Sequence, residues 1–256
     1  MKTLLNIGNK TFSANLEKPV SIGIRMENEV DQNPSCFYAL PPQIKPFVSG
    51  DFIGSIKEGS PVNFKNVFFN PHGNGTHTEC SGHIYDNGLV IGGLLNKFLW
   101  TALVVSIRPE EIDKDQLVCK PDFLKEKMFE GVDAVVIRTL PNDEGKIRRK
   151  YSGTNPPYID SDFIAWLRER GIQHLLTDLP SVDKEKDGGA LAGHRAFWES
   201  VGDERTRCTI SELIYVPEHI QDGLYLLEFQ IMNLALDAAP SNPVLYSLKR
   251  EDESSG

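Results

Sequence analysis

Asp160-Ser161-Asp162-Phe163-Ile164-Ala165-Trp166-Leu167-Arg168-Glu169-Arg170-Gly171-Ile172-Gln173-His174-Leu175-Leu176-Thr177 is the stretch on which the fold turns. Phe163, Trp166 and Leu167 recur at i, i+3 and i+4, which is one face of a helix running from Ser161 to Arg170. Asp160 or Ser161 can cap its start. Gly171 can end it, because a residue without Cβ takes the left-handed cap conformation at no steric cost. The chain then enters an apolar run, Leu175–Thr177, and upstream Ala134–Thr139 is another, so strand, helix and strand follow one another as in a βαβ unit. Val20–Ile24, Phe98–Ile107 and Gly223–Ile231 read as further strands, several continuous enough to be buried on both faces. The expectation is a single α/β domain over residues 1–250, with a central, mostly buried mixed β-sheet flanked by helices. The terminal Glu-Asp-Glu-Ser-Ser-Gly, residues 251–256, is short, polar and acidic and is expected to be a disordered tail.

A chain of 256 residues has room for a large core in one domain, and it contains no internal repeat. The formal charge of -9 and a pI near 5.2 supply no general attraction to nucleic acid or to an anionic membrane surface. The opening residues lack the apolar stretch of a secretory signal, and no apolar run approaches the roughly 20 residues of a membrane span, so a cytoplasmic location is expected. Cys36, Cys80, Cys119 and Cys208 form no CxxC pair. That argues against a thiolate zinc site and a disulfide framework, and for free thiols.

Two Gly- and Pro-punctuated segments, Asn70–Gly82 and Asp178–Gly193, adjoin histidines. Of six histidines in the chain, His72, His77 and His83 fall within Pro71-His72-Gly73-Asn74-Gly75-Thr76-His77-Thr78-Glu79-Cys80-Ser81-Gly82-His83. Imidazole nitrogen and carboxylate oxygen suit zinc, manganese or iron, and a catalytic site keeps one position open for water. His77 and Glu79 are two apart, so in an extended segment they point to one side and can share a metal. The plainer alternative is a set of loop histidines making ordinary hydrogen bonds. The loop between Leu140 and Tyr158 is too long for a plain connection and is a candidate lid over the site. Its basic run Arg148-Arg149-Lys150 is by default a solvated tip, the alternative being contact with an anionic substrate group.

Gly75-Thr76-His77-Thr78-Glu79 with His83 resembles the H-x-G-T-H-x-D-x-x-x-H signature of the cyclase family of metal-dependent hydrolases, whose best-known activity is that of kynurenine formamidase. A second family pattern, T-D-x-P-S-V-D followed by a histidine, stands as Thr177-Asp178-Leu179-Pro180-Ser181-Val182-Asp183 and His194, and the family's closing glutamate matches Glu212. The resemblance runs from about Val20 to Tyr246. It implies a swivelling β/α/β fold, a zinc or manganese centre of one or two ions, a small-molecule substrate of the kind met in tryptophan breakdown, and a homodimer or larger homo-oligomer. Carried over, it makes His77, His194 and Glu212 metal ligands, puts Glu79 where the family has a ligand aspartate, and makes His83 the acid/base group.

Three departures stand out. The family's first histidine would fall at Gly73, and His72 lies one place earlier; in an extended segment that flips the side chain to the other face. His72 remains a candidate ligand if Gly73 and Gly75 bend the loop. Glu79 adds a methylene, and Leu213 replaces the asparagine that follows the family glutamate. Asp178, Ser181 and Asp183 are read as turn-building residues, since Ser181 lacks a nucleophile elbow. His174 and His219 are read as structural or surface residues. The function implied is hydrolysis of an amide, such as an aryl formamide or a cyclic amide or imide. The alternatives are ring closure by dehydration on the same metal, or a non-catalytic protein with a structural metal.

Overall fold

The computed structural model describes residues 1–124, 130–199 and 205–251. The strands that matter for the site are β1 (Lys2–Ile7), β2 (Lys10–Asn15), β3 (His77–Glu79), β4 (Leu99–Ile107), β5 (Ala134–Thr139), β6 (His174–Thr177), β7 (Thr209–Glu212), β8 (Gly223–Ile231) and β9 (Ala238–Arg250). Helices α1 (Ser161–Glu169) and α2 (Ala192–Trp198) are the α-helices among the described residues.

The β-branched runs form the sheet because each can bury both faces. In β4, β5 and β6, Leu103, Val105, Ile107, Val135, Ile137 and Leu175 pack with Phe163, Ile164 and Leu167 of α1. Their alternate neighbours Ala102, Val104, Ala134, Val136 and Leu176 join Tyr225, Leu227, Phe229 and Leu245 from β8 and β9 in a separate cluster. Strands β4, β5, β6 and β7 run parallel, with Ala134 opposite both Ala102 and His174. The βαβ unit of β5, α1 and β6 is as the sequence implies. Asp160 is the cap, its carboxylate accepting the Asp162 amide at 3.1 Å. Gly171 takes φ +76°, and the Ile172 amide closes back on Leu167 O at 3.2 Å. Trp166 is only partly buried, its ring covered by Arg170 at 3.7 Å.

The expected helix-flanked α/β sheet is overturned. Strands β9, β8, β4, β5, β6, β7 and β3 pair in that order, and β3 also pairs with β9, so the sheet closes into a mixed barrel. The protein is mostly β, with both helices packed together on one outer face. The closing strands are those a hydrophobic pattern misses. β3 reads His-Thr-Glu and β7 Thr-Ile-Ser-Glu, short and polar. β9 carries Pro240 and Pro243, which cannot donate to a ladder. Their carbonyls still accept, from Met232 at 3.0 Å and Ile22 at 2.9 Å. Of the expected strand at Val20–Ile24 only Val20–Ser21 is a strand, against β9. Hairpin β1–β2 extends the sheet beyond the barrel through β9. Residues 252–256 of the expected tail lie outside the described residues; the Glu251 amide bonds Thr11 O at 2.9 Å. All four cysteines are free. No helix among the described residues is long and apolar enough to cross a membrane.

His174 sits inside the barrel between the rings of Trp100 and Phe229, with centroids 4.0 and 5.3 Å away, and Nδ1 is 2.8 Å from Thr209 Oγ1. Burial pushes this imidazole down to about 3. The unfolded chain, with a histidine pKa of about 6.5, binds a proton the folded chain refuses, so the stabilisation is full above about pH 6.5 and is lost as pH falls toward about 3. Between about pH 7 and about pH 5 the wild type should lose about 2 kcal/mol more stability than His174→Asn. Urea unfolding of both proteins at the two pH values checks this; equal losses would show that His174 is not held neutral in the barrel.

Candidate functional site

Register builds the first half of the site. In the antiparallel pair β3–β7, Glu212 lies directly opposite His77 and Ile210 opposite Glu79. Residues opposite one another share a face, so His77, Glu79 and Glu212 project from the barrel on the side where Ile210 joins the core under the helices. The intervening Thr78 and Ser211 point the other way, where Thr78 Oγ1 lies 2.7 Å from both Ser211 Oγ and Ser241 Oγ. Small residues stand beside β3 on its other edge, with Ala238 opposite Glu79 and Pro240 opposite His77.

His72 arrives from a bent loop. Gly75 has φ +153°, and a Cβ on Gly73 would lie 2.3 Å from that of Ala39, so both glycines are required. Nδ1 of His72 then lies 3.2 Å from Glu79 Oε2, and its ring is 5.3 Å from that of His77. The one-residue shift therefore does not carry the side chain away. His83 ends a short 3-10 turn, Ser81–His83, that begins two residues after Glu79, and places Nε2 3.8 Å from Glu79 Oε2.

The second half comes from the segment after β6. His194 lies in the first turn of α2, with Nδ1 2.5 Å from Asp183 Oδ2 and Nε2 2.9 Å from Glu79 Oε1. Asp183 Oδ1 also accepts the Gly193 amide, and a Cβ on Gly193 would come within 2.9 Å of that oxygen. Glu212 Oε2 lies 3.5 Å from His77 Nε2, while Oε1 accepts the Val182 amide at 2.8 Å. All five candidate ligands, His72, His77, Glu79, His194 and Glu212, are brought together with His83.

The electrostatics follow from burial and pairing. Burial disfavours the charged form of Glu79, but the imidazoles of His194, His72 and His83 outweigh it and hold the carboxyl well below its usual range. Burial likewise pushes His194 down, and the carboxylates of Glu79, Asp183 and Glu212 lift it well above an ordinary histidine. His72 is raised for the same reasons, chiefly by Glu79 against burial. Within the cluster, two ligand-type atoms are buried without a hydrogen bond, His77 Nε2 and Glu79 Oε2. His77 Nδ1, 3.0 Å from Gly75 O, is the nitrogen that donates, which turns the lone pair of Nε2 inward. Ligand atoms of His72, His77 and Glu79, and of Glu79, His83 and His194, lie within 4.8 Å of one another. These His and Glu clusters form a candidate metal site, and the donors present fit a divalent cation.

A cavity of about 270 Å³ opens over these residues, lined also by Phe37 and Leu191. The loop from Leu140 is anchored beside it. Lys146 is buried, with Nζ 2.8 Å from Asp178 Oδ2 and 2.6 Å from Thr139 O, and Tyr151 packs with Cys36 and Leu213, next to Glu212. Two residues of the basic run are engaged elsewhere: Arg149 pairs with Asp143, and Lys150 Nζ bonds the carbonyls of Val30 and Asn33. His174 is in the barrel and His219 is exposed, so neither belongs to the site.

Two residues escaped the sequence reading. Asp183 closes the segment Thr177–Asp183, where it reads as a turn builder, and its place eleven residues before His194 is the available signal. Asp237, 154 residues from His83, bonds both His83 Nδ1 and His72 Nε2 and had no signal at all.

Residues 15–184 match the family model of the cyclases. The kynurenine formamidase of Bacillus thuringiensis subsp. konkukian (strain 97-27) is 28% identical over 198 residues, covering 76% of this chain and 84% of that one. A structure described as a potential metal-dependent hydrolase with cyclase activity superposes with a TM-score of 0.60 at 16% identity, covering 92% of this chain and 99% of that one. Isatin hydrolase A from Labrenzia aggregata, bound to benzyl benzoate, gives a TM-score of 0.63 at 11% identity over 91% of this chain and 94% of that one. At such identities the structural likeness speaks for the barrel fold alone. The matched segment spans β3, β4, β5 and β6, about two thirds of the chain, and the chain belongs to the cyclase family.

Proposed function

We propose that this chain is a metal-dependent hydrolase that cleaves an amide C–N bond, in an aryl formamide such as N-formylkynurenine or in a cyclic amide or imide. The observation that carries this reading is the pair of buried atoms without hydrogen bonds, His77 Nε2 and Glu79 Oε2, amid His72, His194 and Glu212. An unsatisfied buried polar atom costs roughly 1–3 kcal/mol, and a divalent cation removes that cost at both. His72, His77, Glu79, His194 and Glu212 would hold it, and their imidazole and carboxylate donors suit zinc or manganese, as one ion or two. Such an ion supplies Lewis-acid polarisation of a carbonyl and a water that deprotonates near neutral pH.

The remaining work falls to the chain's own side chains. Asp183 holds the His194 ring by its Nδ1, so that Nε2 faces the cluster. His83, with Nε2 toward Glu79, takes a proton from the attacking water and delivers it to the departing nitrogen. Phe37 and Leu191 give the cavity an apolar wall for an aryl group. A kynurenine formamidase among the relatives and an isatin hydrolase among the structural neighbours support trying both an open formamide and a cyclic amide. Assay of N-formylkynurenine against a panel of lactams, imides and lactones tests the substrate class, and product analysis separates hydrolysis from ring closure.

Protein purified without chelator should carry roughly one or two divalent ions per chain, matching the one- and two-ion centres this donor set can build. His77→Ala should lower that content at least about tenfold at limiting metal, because it removes the imidazole whose buried Nε2 has no hydrogen-bond partner. Elemental analysis of both proteins decides it, and a metal-free wild type that still turns over an amide would sink the reading. His83→Ala should keep its metal and lose on order of 10² to 10⁴ in kcat. Wild-type turnover by that variant, with normal metal content, would make His83 a bystander.

A further inference from the structure

Asp237 stands where the chain enters β9, held there by backbone pairing. The Cys80 amide bonds Asp237 O at 3.0 Å, and the next residue, Ala238, lies opposite Glu79. Its side chain turns one oxygen, Oδ2, to two histidines: 2.8 Å from Nδ1 of His83 and 2.9 Å from Nε2 of His72. The two rings lie against each other with centroids 4.3 Å apart. A carboxylate oxygen only accepts, so each nitrogen bonded to it must carry hydrogen, and a neutral imidazole has hydrogen on one nitrogen alone. In the neutral rings that a metal ligand and a proton acceptor require, the free nitrogens are therefore Nε2 of His83 and Nδ1 of His72, and those are the two atoms that face Glu79 Oε2, at 3.8 and 3.2 Å.

We infer that Asp237 is a positioning residue that sets the tautomers of His83 and His72 together, aiming the lone pair of each ring into the site. The inference rests on the proposed role of His83 as the proton-moving group, but its physical content is the placement of a hydrogen. Without Asp237, His83 has no acceptor at Nδ1 among the described residues and reverts to the Nε2–H form that a free histidine side chain favours, with its lone pair turned away from the substrate. His72 loses the bond that fixes its ring in the bent loop. Asparagine at this position keeps an acceptor oxygen where Oδ2 lies and can leave its amide nitrogen toward solvent, since the Asp237 side chain is 34% exposed.

The test compares wild type, Asp237→Asn and Asp237→Ala as full-length chains labelled with nitrogen-15 at histidine, with His83 assigned through His83→Gln. Nitrogen chemical shifts read at about pH 8.5, some two units above an ordinary imidazole pKa, report which ring nitrogen carries hydrogen. His83 should be protonated at Nδ1 in wild type and Asp237→Asn, and at Nε2 in Asp237→Ala. Alongside, Asp237→Ala should lose about 10²-fold in kcat with little change in KM, and Asp237→Asn should stay within about tenfold of wild type. If His83 keeps Nδ1–H in Asp237→Ala, or carries Nε2–H in wild type, the inference is overturned whatever the activity. If the shifts behave as expected while no amide is hydrolysed by wild type, the tautomer assignment stands and the functional reading fails.

Discussion

A three-residue strand carries both the closure of the barrel and the site. β3 pairs on one edge with β7 and on the other with β9. Each residue of this strand does two things. His77 and Glu79 face the ligand cluster outside the barrel, while Thr78 faces Ser211 and Ser241 within it. Because both edges are paired, the strand has no freedom to slip, and a one-residue slip would exchange the two faces and bury a threonine where a ligand must stand. Barrel closure is therefore the constraint that fixes the positions of His77 and Glu79 against Glu212, and that brings Asp237 to His83 through the start of β9. A carboxylate as deeply buried as that of Glu79 is tolerated because histidines surround it, and those histidines hang on loops and a helix anchored to the same few strands.

What the sequence shows and hides follows from the same arrangement. The parallel half, β4 to β6 with α1, is legible because its strands are buried on both faces and must be continuously apolar, and because Gly171 ends the helix by a mechanism only glycine performs without strain. The closing half is not legible. β3 and β7 are polar because they carry ligands, and β9 contains two prolines, so neither periodicity nor propensity marks them as strands. With those strands hidden, the pattern reads as a central mixed sheet flanked by helices. The site shows a similar split. Histidine density and the two motifs point to His72, His77, Glu79, His83, His194 and Glu212, whereas Asp183 and Asp237 act through hydrogen bonds to ring nitrogens, and nothing local distinguishes such an aspartate from a turn former.

Leu213 is a place where this chain departs from its family and the structure shows a physical consequence. It has φ +53°, in the left-handed region that asparagine tolerates and leucine resists, at a cost of roughly 1–2 kcal/mol. Its side chain is buried with Cys36 and Tyr151, and burying a leucine contributes about 1.5–3 kcal/mol. Strain at the residue after Glu212 is thus offset by an apolar contact that ties together the segment before the histidine loop, the long loop from Leu140 and the end of β7. The Leu213 amide also bonds Leu179 O at 2.9 Å, and its carbonyl accepts the hydroxyl of Thr76, one residue before His77.

The remaining two departures are best understood as a matched pair. β3 fixes the Cα of Glu79, so the reach of its carboxylate depends on side-chain length alone. With a glutamate there, one oxygen meets His194 Nε2 at 2.9 Å while the other comes within 3.2 Å of His72 Nδ1, across the site. His72 needs that reach because it enters one residue early, from a loop that Gly73 and Gly75 bend back toward the barrel and that Cys36 grips, Sγ to His72 O at 3.3 Å and amide to Gly73 O at 3.2 Å. An aspartate at position 79 would draw the carboxylate back by about 1.5 Å, the length of one carbon–carbon bond. It would then leave one of the two histidines behind. The glutamate's longer reach and the early entry of His72 therefore fit one another, and a continuous bridge runs from His194 through Glu79 to His72.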